Sequence, residues 1–340
     1  MSSLMKRRWN TFKQNKLGYA SLWMLVFILV LSLLTPLWIN ENPLYVKYQN
    51  KHYFPMIEEV VDMDLGGDLP TLANYSDPFT VEKIHQNGLM IRALIPYSAG
   101  TVDYFAAQPF PLAPSKSHWL GTDDQGRDLL ARLMYGLRLN LCFGLLMTLL
   151  ASLIGFIVGA IQGYFAGKVD LVIGRFIEIW GSLPQLFILI ILAGFLKPNF
   201  WVLLLILVLF GWPQLTGVVR AEFLRVRGLD YVRVARALGA SDMAIMFKHI
   251  LPNALIATVT YVPFILSGAI VALSALDFLG LGLPPGTPSL GEIIREAKEN
   301  LNAPWIGMSV FVLMTVLLAL LLLIGEGVRA AFDPNAKEQK

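Results

Sequence analysis

Long apolar runs alternate with polar segments of very different lengths along the chain. A helix needs about 20 apolar residues to cross the hydrocarbon core of a bilayer, and these runs do not alternate apolar with polar residues as barrel strands do. Only helices and closed barrels satisfy their backbone polar groups in lipid. The pattern therefore predicts an all-α membrane protein with six transmembrane helices, at 18–39, 139–163, 176–196, 200–219, 256–275 and 306–324.

The lysines and arginines between these runs predict the orientation of the helices. If both termini lie inside, the inner segments carry basic residues at more than twice the density of the outer segments. Basic loops tend to stay in the cytoplasm. We therefore expect a cytoplasmic N-terminal tail at 1–17, a first transmembrane helix at 18–39, an outer insertion at 40–138, a core transmembrane domain at 139–327 with a cytoplasmic loop at 220–255, and a cytoplasmic tail at 328–340.

Two features refine this bundle. The basic cluster Lys6-Arg7-Arg8 and the first apolar run resemble a signal peptide, but no small-residue cleavage pattern follows, so we interpret the run as a retained anchor. In the second run, Gly155, Gly159 and Gly163 form a small-residue ridge that lets another helix approach closely. Packing inside this chain is the favoured interpretation of that ridge, and a subunit contact is the alternative.

Composition and charge argue against several classes of function. The chain is 56% hydrophobic and 15% charged, whereas a soluble domain has about 25% charged residues. Its net charge of +3 and scattered basic clusters give no reason to expect nucleic acid. Cys142 is the only cysteine, which excludes a disulfide framework and a cysteine metal site.

No catalytic constellation is evident, so we expect a protein that is not an enzyme and binds no cofactor itself. There is no GxxxxGK[ST] phosphate loop, and any energy from ATP must come from a partner. Ionisable residues are scarce in the apolar runs, and Glu178 and Asp277 lie at their edges, which argues against an ion-coupled carrier. Metal-ligand spacing is absent from the four histidines, His52, His85, His118 and His249.

The basic loop at 220–255 predicts two short helices. Good helix formers from Tyr231 to Leu238 end at Gly239, and Ser241 is a capping residue for a second helix that we expect to end at Leu251-Pro252-Asn253. Such a loop also fits an amphipathic segment that lies on the membrane surface.

The string from Ala235 to Asn253 resembles the EAA loop of permease subunits in binding-protein-dependent ABC importers. Arg233 and Val234 depart from the family triplet, and His249 stands where many members have an aliphatic residue. The resemblance implies that this loop docks on an ATPase, through positions Arg233, Val234, Ala235, Gly239, His249, Leu251 and Pro252.

Two further strings resemble the C-type permeases of dipeptide and oligopeptide importers. One runs from His118 to Asp128, and the other from Phe278 to Pro285 and on to Ser289. The insertion after the first helix is similar to that of YejE-type permeases of enterobacteria, a branch of this family. The motif positions in these strings are Gly121, Thr122, Asp123, Gly126, Arg127, Asp128, Gly280, Gly282 and Pro285.

The resemblance implies a function for the whole chain. It predicts the transmembrane permease subunit of an ATP-driven importer that carries peptides or peptide-like compounds across the bacterial inner membrane. The implied partners are a second homologous permease subunit, ABC ATPase subunits that bind ATP and Mg, a periplasmic peptide-binding protein and membrane lipids. The insertion would then be periplasmic. A secondary carrier or channel without an ATPase is the first rival hypothesis, and a membrane-embedded enzyme, which would need a polar constellation in the bundle, is the second.

Overall fold

The structure is a computed structural model that describes residues 3–68, 70–106 and 108–332. These residues are mostly helical. Their helices are α1 (Ser3–Gln14), α2 (Lys16–Leu33), α3 (Thr35–Trp38), α4 (Pro78–Asn87), α5 (Leu129–Phe165), α6 (Gly167–Gly181), α7 (Gln185–Phe195), α8 (Phe200–Gly211), α9 (Pro213–Arg227), α10 (Asp230–Ala237), α11 (Asp242–Ala244), α12 (Leu251–Phe278), α13 (Leu290–Glu299) and α14 (Pro304–Phe332). Their strands are β1 (Tyr45–Tyr48), β2 (Lys51–Tyr53) and β3 (Gly88–Ile91), with a 3₁₀ turn at Asp62–Leu65 and a π-helical segment at Ile245–Ile250.

Within the described residues, five helical stretches are long and apolar enough to cross a membrane: α2, α5, α8 with α9, part of α12, and α14. The third predicted helix, 176–196, is not continuous. Helices α6 and α7 are bent by 66° at the break between them, where Pro184 lacks a backbone N–H and disfavours helix at the preceding residue. The predicted count of six spans is therefore not confirmed, since six spans result only if the bent pair counts as one.

Several helix ends also differ from the predicted ones. Helix α5 begins at Leu129, inside the expected outer insertion, and α9 continues through the first part of the expected loop to Arg227. The second loop helix does not end at Leu251-Pro252-Asn253, because Pro252 lies in the first turn of α12, where its missing N–H costs nothing. The expected tails are helical in α1 and at the end of α14, and residues 333–340 lie outside the described part of the chain.

The described residues divide into two compact units, and the first holds residues 1–27, 140–285 and 314–340. Its helices α5 and α9 pack closely along the glycine ridge. A Cβ added at Gly155, Gly159 or Gly163 would collide with backbone carbonyl oxygens between Trp212 and Arg220. The interpretation of the ridge as packing inside the chain is therefore confirmed.

The second unit holds residues 28–139 and 286–313 and contains a three-stranded antiparallel sheet in the order β2-β1-β3. Val46 pairs with Tyr53 on one side and Met90 on the other, and it is fully buried. Helix α4 begins with Asp77 as its cap and contributes Ile84 to the same core. The periodicity of the insertion is too weak to predict its fold from the sequence, and the structure shows that this region contains a small sheet packed against α4.

Candidate functional site

The first candidate site is residues 228–250, which include α10 and α11, and we call it the coupling segment after the role that the resemblance implies. Its inner face is anchored in the first unit by Val232, Ile245 and Ile250, all buried to at least 99%. These side chains belong to one core that also holds Phe223 of α9 and Ala254 of α12. Because side chains in a protein core are close-packed, a displacement of the segment would move α9 and α12 with it.

A glycine turn sets the shape of the coupling segment. Gly239 has a φ of +84°, a conformation that glycine adopts without strain. The N–H groups of Gly239 and Ala240 donate to the carbonyl oxygens of Arg236 and Ala235 at 3.0 and 3.1 Å, which closes the end of α10 in a Schellman motif. Ser241 then accepts from the N–H of Ala244 at 3.3 Å and starts α11. The short helix, glycine turn and serine cap are present as predicted.

The opposite face of the coupling segment is exposed and apolar. Leu238 is 82% exposed, and Val234, Met243 and Phe247 are each more than half exposed. Apolar side chains gathered on an otherwise polar loop are typical of an interaction surface. The remaining motif positions line its edges: Arg233 is exposed with Asp230 at 3.9 Å, Ala235, His249 and Leu251 are half-buried, and Pro252 is exposed.

Tyr164, at the end of α5, holds the coupling segment through hydrogen bonds to residues that lie far away in the sequence. Its hydroxyl donates to Asp242 and accepts from Arg236 at 3.1 Å. Its backbone carbonyl oxygen accepts from Arg227 at 2.5 Å. Nothing in the local pattern marks this tyrosine, since its partners lie more than 60 residues further along the chain.

The string from His118 to Asp128 belongs to a different structure, in the second unit. Asp123 accepts from Arg127 Nε at 2.7 Å and from Arg132 at 2.5 Å. Arg132 also donates to Glu292 at 2.9 Å and to Glu296 at 2.6 Å, and Arg127 contacts Glu296 at 3.1 Å. All five side chains are at most 9% exposed. We call these five residues the buried ion network.

Sequence reasoning missed three members of this network. Arg132 was hidden because the second apolar run was predicted to begin at 139, whereas α5 begins at Leu129. Glu292 and Glu296 are four residues apart and therefore share one face of α13. This spacing was the one sequence signal that the two carboxylates act together. Their pairing with Arg132 depends on residues about 160 positions apart.

The other positions of the same string shape the loop before α5. Gly121 and Gly126 both have a φ of +81°, and a Cβ at Gly121 would lie 2.5 Å from the carbonyl oxygen of Leu112. The buried Thr122 hydroxyl accepts from the N–H of Leu112 at 2.8 Å. Asp128 accepts from the N–H of Ala131 at 2.8 Å and so caps the first turn of α5.

His118 joins this loop to two carboxylates. It is 1% exposed, with Nδ1 at 2.9 Å from Asp128 and Nε2 at 3.3 Å from Asp103, and the ring of Tyr97 stacks on it at 4.6 Å. Burial by itself would lower the pKa of His118. The hydrogen bonds to Asp128 and Asp103, together with the negative charges of these two carboxylates, outweigh burial, so the pKa of His118 is raised above the ordinary value.

The string after α12 ends that helix. Gly280 has a φ of +74°, and the N–H groups of Gly280 and Leu281 donate back to α12 at 3.0 and 2.9 Å. A Cβ at Gly282 would overlap the carboxylate of Asp277, and Pro285 follows at the boundary of the first unit. These glycines permit a tight turn.

Among the described residues, Asp123, Asp124 and Glu296 place carboxylate oxygens within 4.8 Å of one another, the one such group close enough to share a cation. The buried pair already contacts Arg127 and Arg132. Guanidinium groups therefore serve as the counter-ions at this position.

Comparison with known proteins identifies the family. A family model for the inner membrane component of binding-protein-dependent transport systems matches residues 151–338, and one for the N-terminal transmembrane domain of oligopeptide transport permease C matches residues 3–55. The chain is 49% identical to the Escherichia coli inner membrane ABC transporter permease protein YejE, over 98% of each chain. It is 45% identical to the Agrobacterium fabrum peptidoglycan transport system permease protein YejE, over 97% of this chain and 93% of that one.

A solved structure agrees on the fold. An inward-facing MetNI methionine ABC transporter aligns with 60% of this chain and 98% of its own, with a TM-score of 0.51 and 20% identity. The resemblance drawn from the three strings is confirmed, and the family consists of multi-pass transport components and not of enzymes. The chain therefore belongs to the family of inner membrane components of binding-protein-dependent transport systems.

Proposed function

We propose that the chain is the permease subunit of an ATP-driven importer for peptides or peptide-like compounds in the bacterial inner membrane. The names of its relatives support this, since one is an ABC transporter permease and another a peptidoglycan transport permease. The match to the oligopeptide permease C domain at residues 3–55 supports a peptide substrate as well.

The observation that carries the proposal is the two-faced coupling segment. Its inner face is locked into a core shared with α9 and α12, while Val234, Leu238, Met243 and Phe247 face outward. An ATPase that binds the outer face would move the segment as a rigid lever when its dimer closes on ATP and Mg. Such levers reorient packed helices and so alternate the access of a pathway.

The proposed assembly contains a second homologous permease, ABC ATPase subunits and a periplasmic peptide-binding protein. Apolar side chains exposed along α7, such as Phe187 and Ile191, are suited to lipid or to the second permease. The excess of basic residues at the termini and in the loop supports a cytoplasmic position for these three regions and a periplasmic one for the insertion at 40–138.

Topology is tested with reporters fused after Lys340 and inserted between Val234 and Ser241. Both should report the cytoplasm, and a reporter at the exposed Leu72 should report the periplasm. A periplasmic signal from either of the first two would contradict the proposed orientation.

Coupling is tested at Gly239 in the complete transporter, reconstituted in proteoliposomes. Gly239→Leu should uncouple ATP hydrolysis from peptide uptake, because leucine is strained at a φ of +84° and the α10–α11 turn would change. Gly239→Asn is the matched control, since asparagine tolerates this conformation, and it should retain uptake. Unchanged uptake by the leucine variant would contradict the proposed coupling, and uptake by the wild type that survives ATP depletion would indicate a secondary carrier.

A further inference from the structure

A cleft of about 420 Å³ opens in the second unit, in the region proposed to be periplasmic. Its walls come from Glu41, from the turn before α4 and from the segment between Arg92 and Phe105. The volume falls within the range of about 300–1,000 Å³ that is usual for small-ligand sites. We call it the Arg92 cleft.

The guanidinium group of Arg92 has no carboxylate partner among the described residues. Its Nη2 donates to the backbone carbonyl oxygen of Tyr75, but its Nε is buried and has no hydrogen-bond partner among the described residues. No carboxylate of the described residues lies within 4.0 Å of its guanidinium group. Burial lowers its pKa, which is the expected effect on a desolvated cation. A carboxylate or phosphate bound in the cleft would supply the missing anion, and a guanidinium group suits such oxyanions.

The cleft also offers a carboxylate that a cation can reach. Glu41 is exposed and accepts a hydrogen bond from the Thr101 hydroxyl, which leaves it oxygen lone pairs to spare. Asp103 lines the cleft too, but its two oxygens already accept from the N–H of Phe105 at 3.0 Å and contact His118 at 3.3 Å. Glu41 is the more exposed of the two carboxylates and has no histidine partner, so we assign it to a ligand ammonium.

Aromatic side chains complete the lining. Tyr104 is 83% exposed and Phe105 is 61% exposed, although both are large enough to favour burial. Tyr97 is fixed in place by its stacking on His118. Aromatic rings that flank a cleft offer apolar contact to a ligand side chain at a low entropic cost.

We propose that the Arg92 cleft binds a short zwitterionic peptide, with the terminal carboxylate on Arg92, the terminal ammonium on Glu41 and an apolar side chain against Tyr104 and Phe105. The choice of a peptide rests on the proposed function. A phosphoethanolamine headgroup presents the same two charges, so the experiment has to separate the two sources.

The test is calorimetric titration of the purified full-length protein in detergent with the tripeptide Ala-Phe-Ala. Saturable binding is expected. Amidation of the C-terminus and acetylation of the N-terminus should each weaken it at least about tenfold, the usual effect of removing a charged hydrogen-bond partner. These changes are made on the ligand, so the protein remains the wild type.

Two variants assign the ends of the peptide. Arg92→Gln should bind the free and the amidated tripeptide equally, and Glu41→Gln should bind the free and the acetylated tripeptide equally. Lys51→Gln and Glu82→Gln change the same charges on exposed positions outside the cleft, and both should behave as the wild type.

Three results would overturn the proposal: no saturable binding of any tripeptide, equal binding of the free and amidated forms by the wild type, or binding of glycerophosphoethanolamine but not of the tripeptide. The proposed transport function is judged separately, by ATP-driven uptake in the complete transporter. If ATP-driven uptake persists but the protein binds no tripeptide, only the proposed ligand of the cleft is wrong. If uptake does not depend on ATP, the proposed transport function is wrong, whatever the cleft binds.

Discussion

The buried ion network and the coupling segment both include residues from strings that resemble the family, yet their charged and apolar side chains are placed in opposite ways. In the network, Arg127 and Arg132 are at most 7% exposed and pair with carboxylates inside the protein. In the coupling segment, Arg233 is 72% exposed and Leu238 faces outward. Two similar-looking strings therefore differ in structure, since residues of the first form ion pairs inside the protein and the second exposes the apolar face that we propose binds a partner.

The largest expected effect is at Arg132. Arg132→Met leaves three buried carboxylates, Asp123, Glu292 and Glu296, short of their main counter-ion. Removal of one partner from a buried ion pair typically costs about 3–5 kcal/mol of unfolding free energy. Thermal unfolding in detergent measures the loss. Arg233→Met, on the exposed segment, is the control and should unfold as the wild type does; equal losses for the two variants would remove the distinction between the regions.

A pair of alanine substitutions sharpens the same comparison. Gly121→Ala adds a Cβ 2.5 Å from the Leu112 carbonyl oxygen at a φ of +81°, so strain and overpacking together should cost about 2–5 kcal/mol. Gly239→Ala meets open space at a φ of +84°, and strain alone should cost about 1–2 kcal/mol. Unfolding midpoints of the two proteins compare them directly. A Gly239→Ala protein less stable than Gly121→Ala would show that the coupling segment is the more tightly packed region.

The coupling segment was accessible from the sequence because its signals are local. A glycine after a short helix and a serine before the next helix report the turn within a few residues, as Gly239 and Ser241 do. The network was not accessible in this way, because Arg132 finds its partners about 160 residues away. The length of an apolar run also does not show whether its helix is continuous. The run at 176–196 is apolar throughout, and Pro184 is its one sign of the bend between α6 and α7.

Substitutions on the two faces of the coupling segment should impair different properties, namely ATPase binding on the exposed face and stability on the buried face. Leu238→Asp should leave thermal stability unchanged but abolish co-purification of the ATPase and lower ATP-driven uptake at least about tenfold, since exposed apolar anchors dominate interfaces. Val232→Asp buries a carboxylate in the core and should destabilise the protein first. Retained co-purification by the Leu238→Asp transporter would argue against this docking face.

The smallest expected effect is a pH dependence at His118. Burial lowers its pKa, but the hydrogen bonds to Asp128 and Asp103 and the charges of these carboxylates together outweigh burial, so the pKa is raised in the folded state. The protonated ring therefore adds stability that is fully present below about pH 6.5, the ordinary value, and is lost as the pH rises through the raised pKa. His118→Asn should flatten this part of the profile of unfolding midpoint against pH, whereas the exposed His85→Asn should leave it unchanged. Identical profiles for wild type and His118→Asn would exclude this contribution.

The most direct test of the central claim, that the coupling segment is the docking surface for an ATPase, is photo-crosslinking in the assembled transporter. A photoreactive amino acid replaces Leu238 in one protein and Trp119, which is 52% exposed in the other family string, in the second. We predict that position 238 captures the ATPase subunit and that position 119 does not. Capture of the ATPase from position 119 and not from position 238 would contradict the assignment.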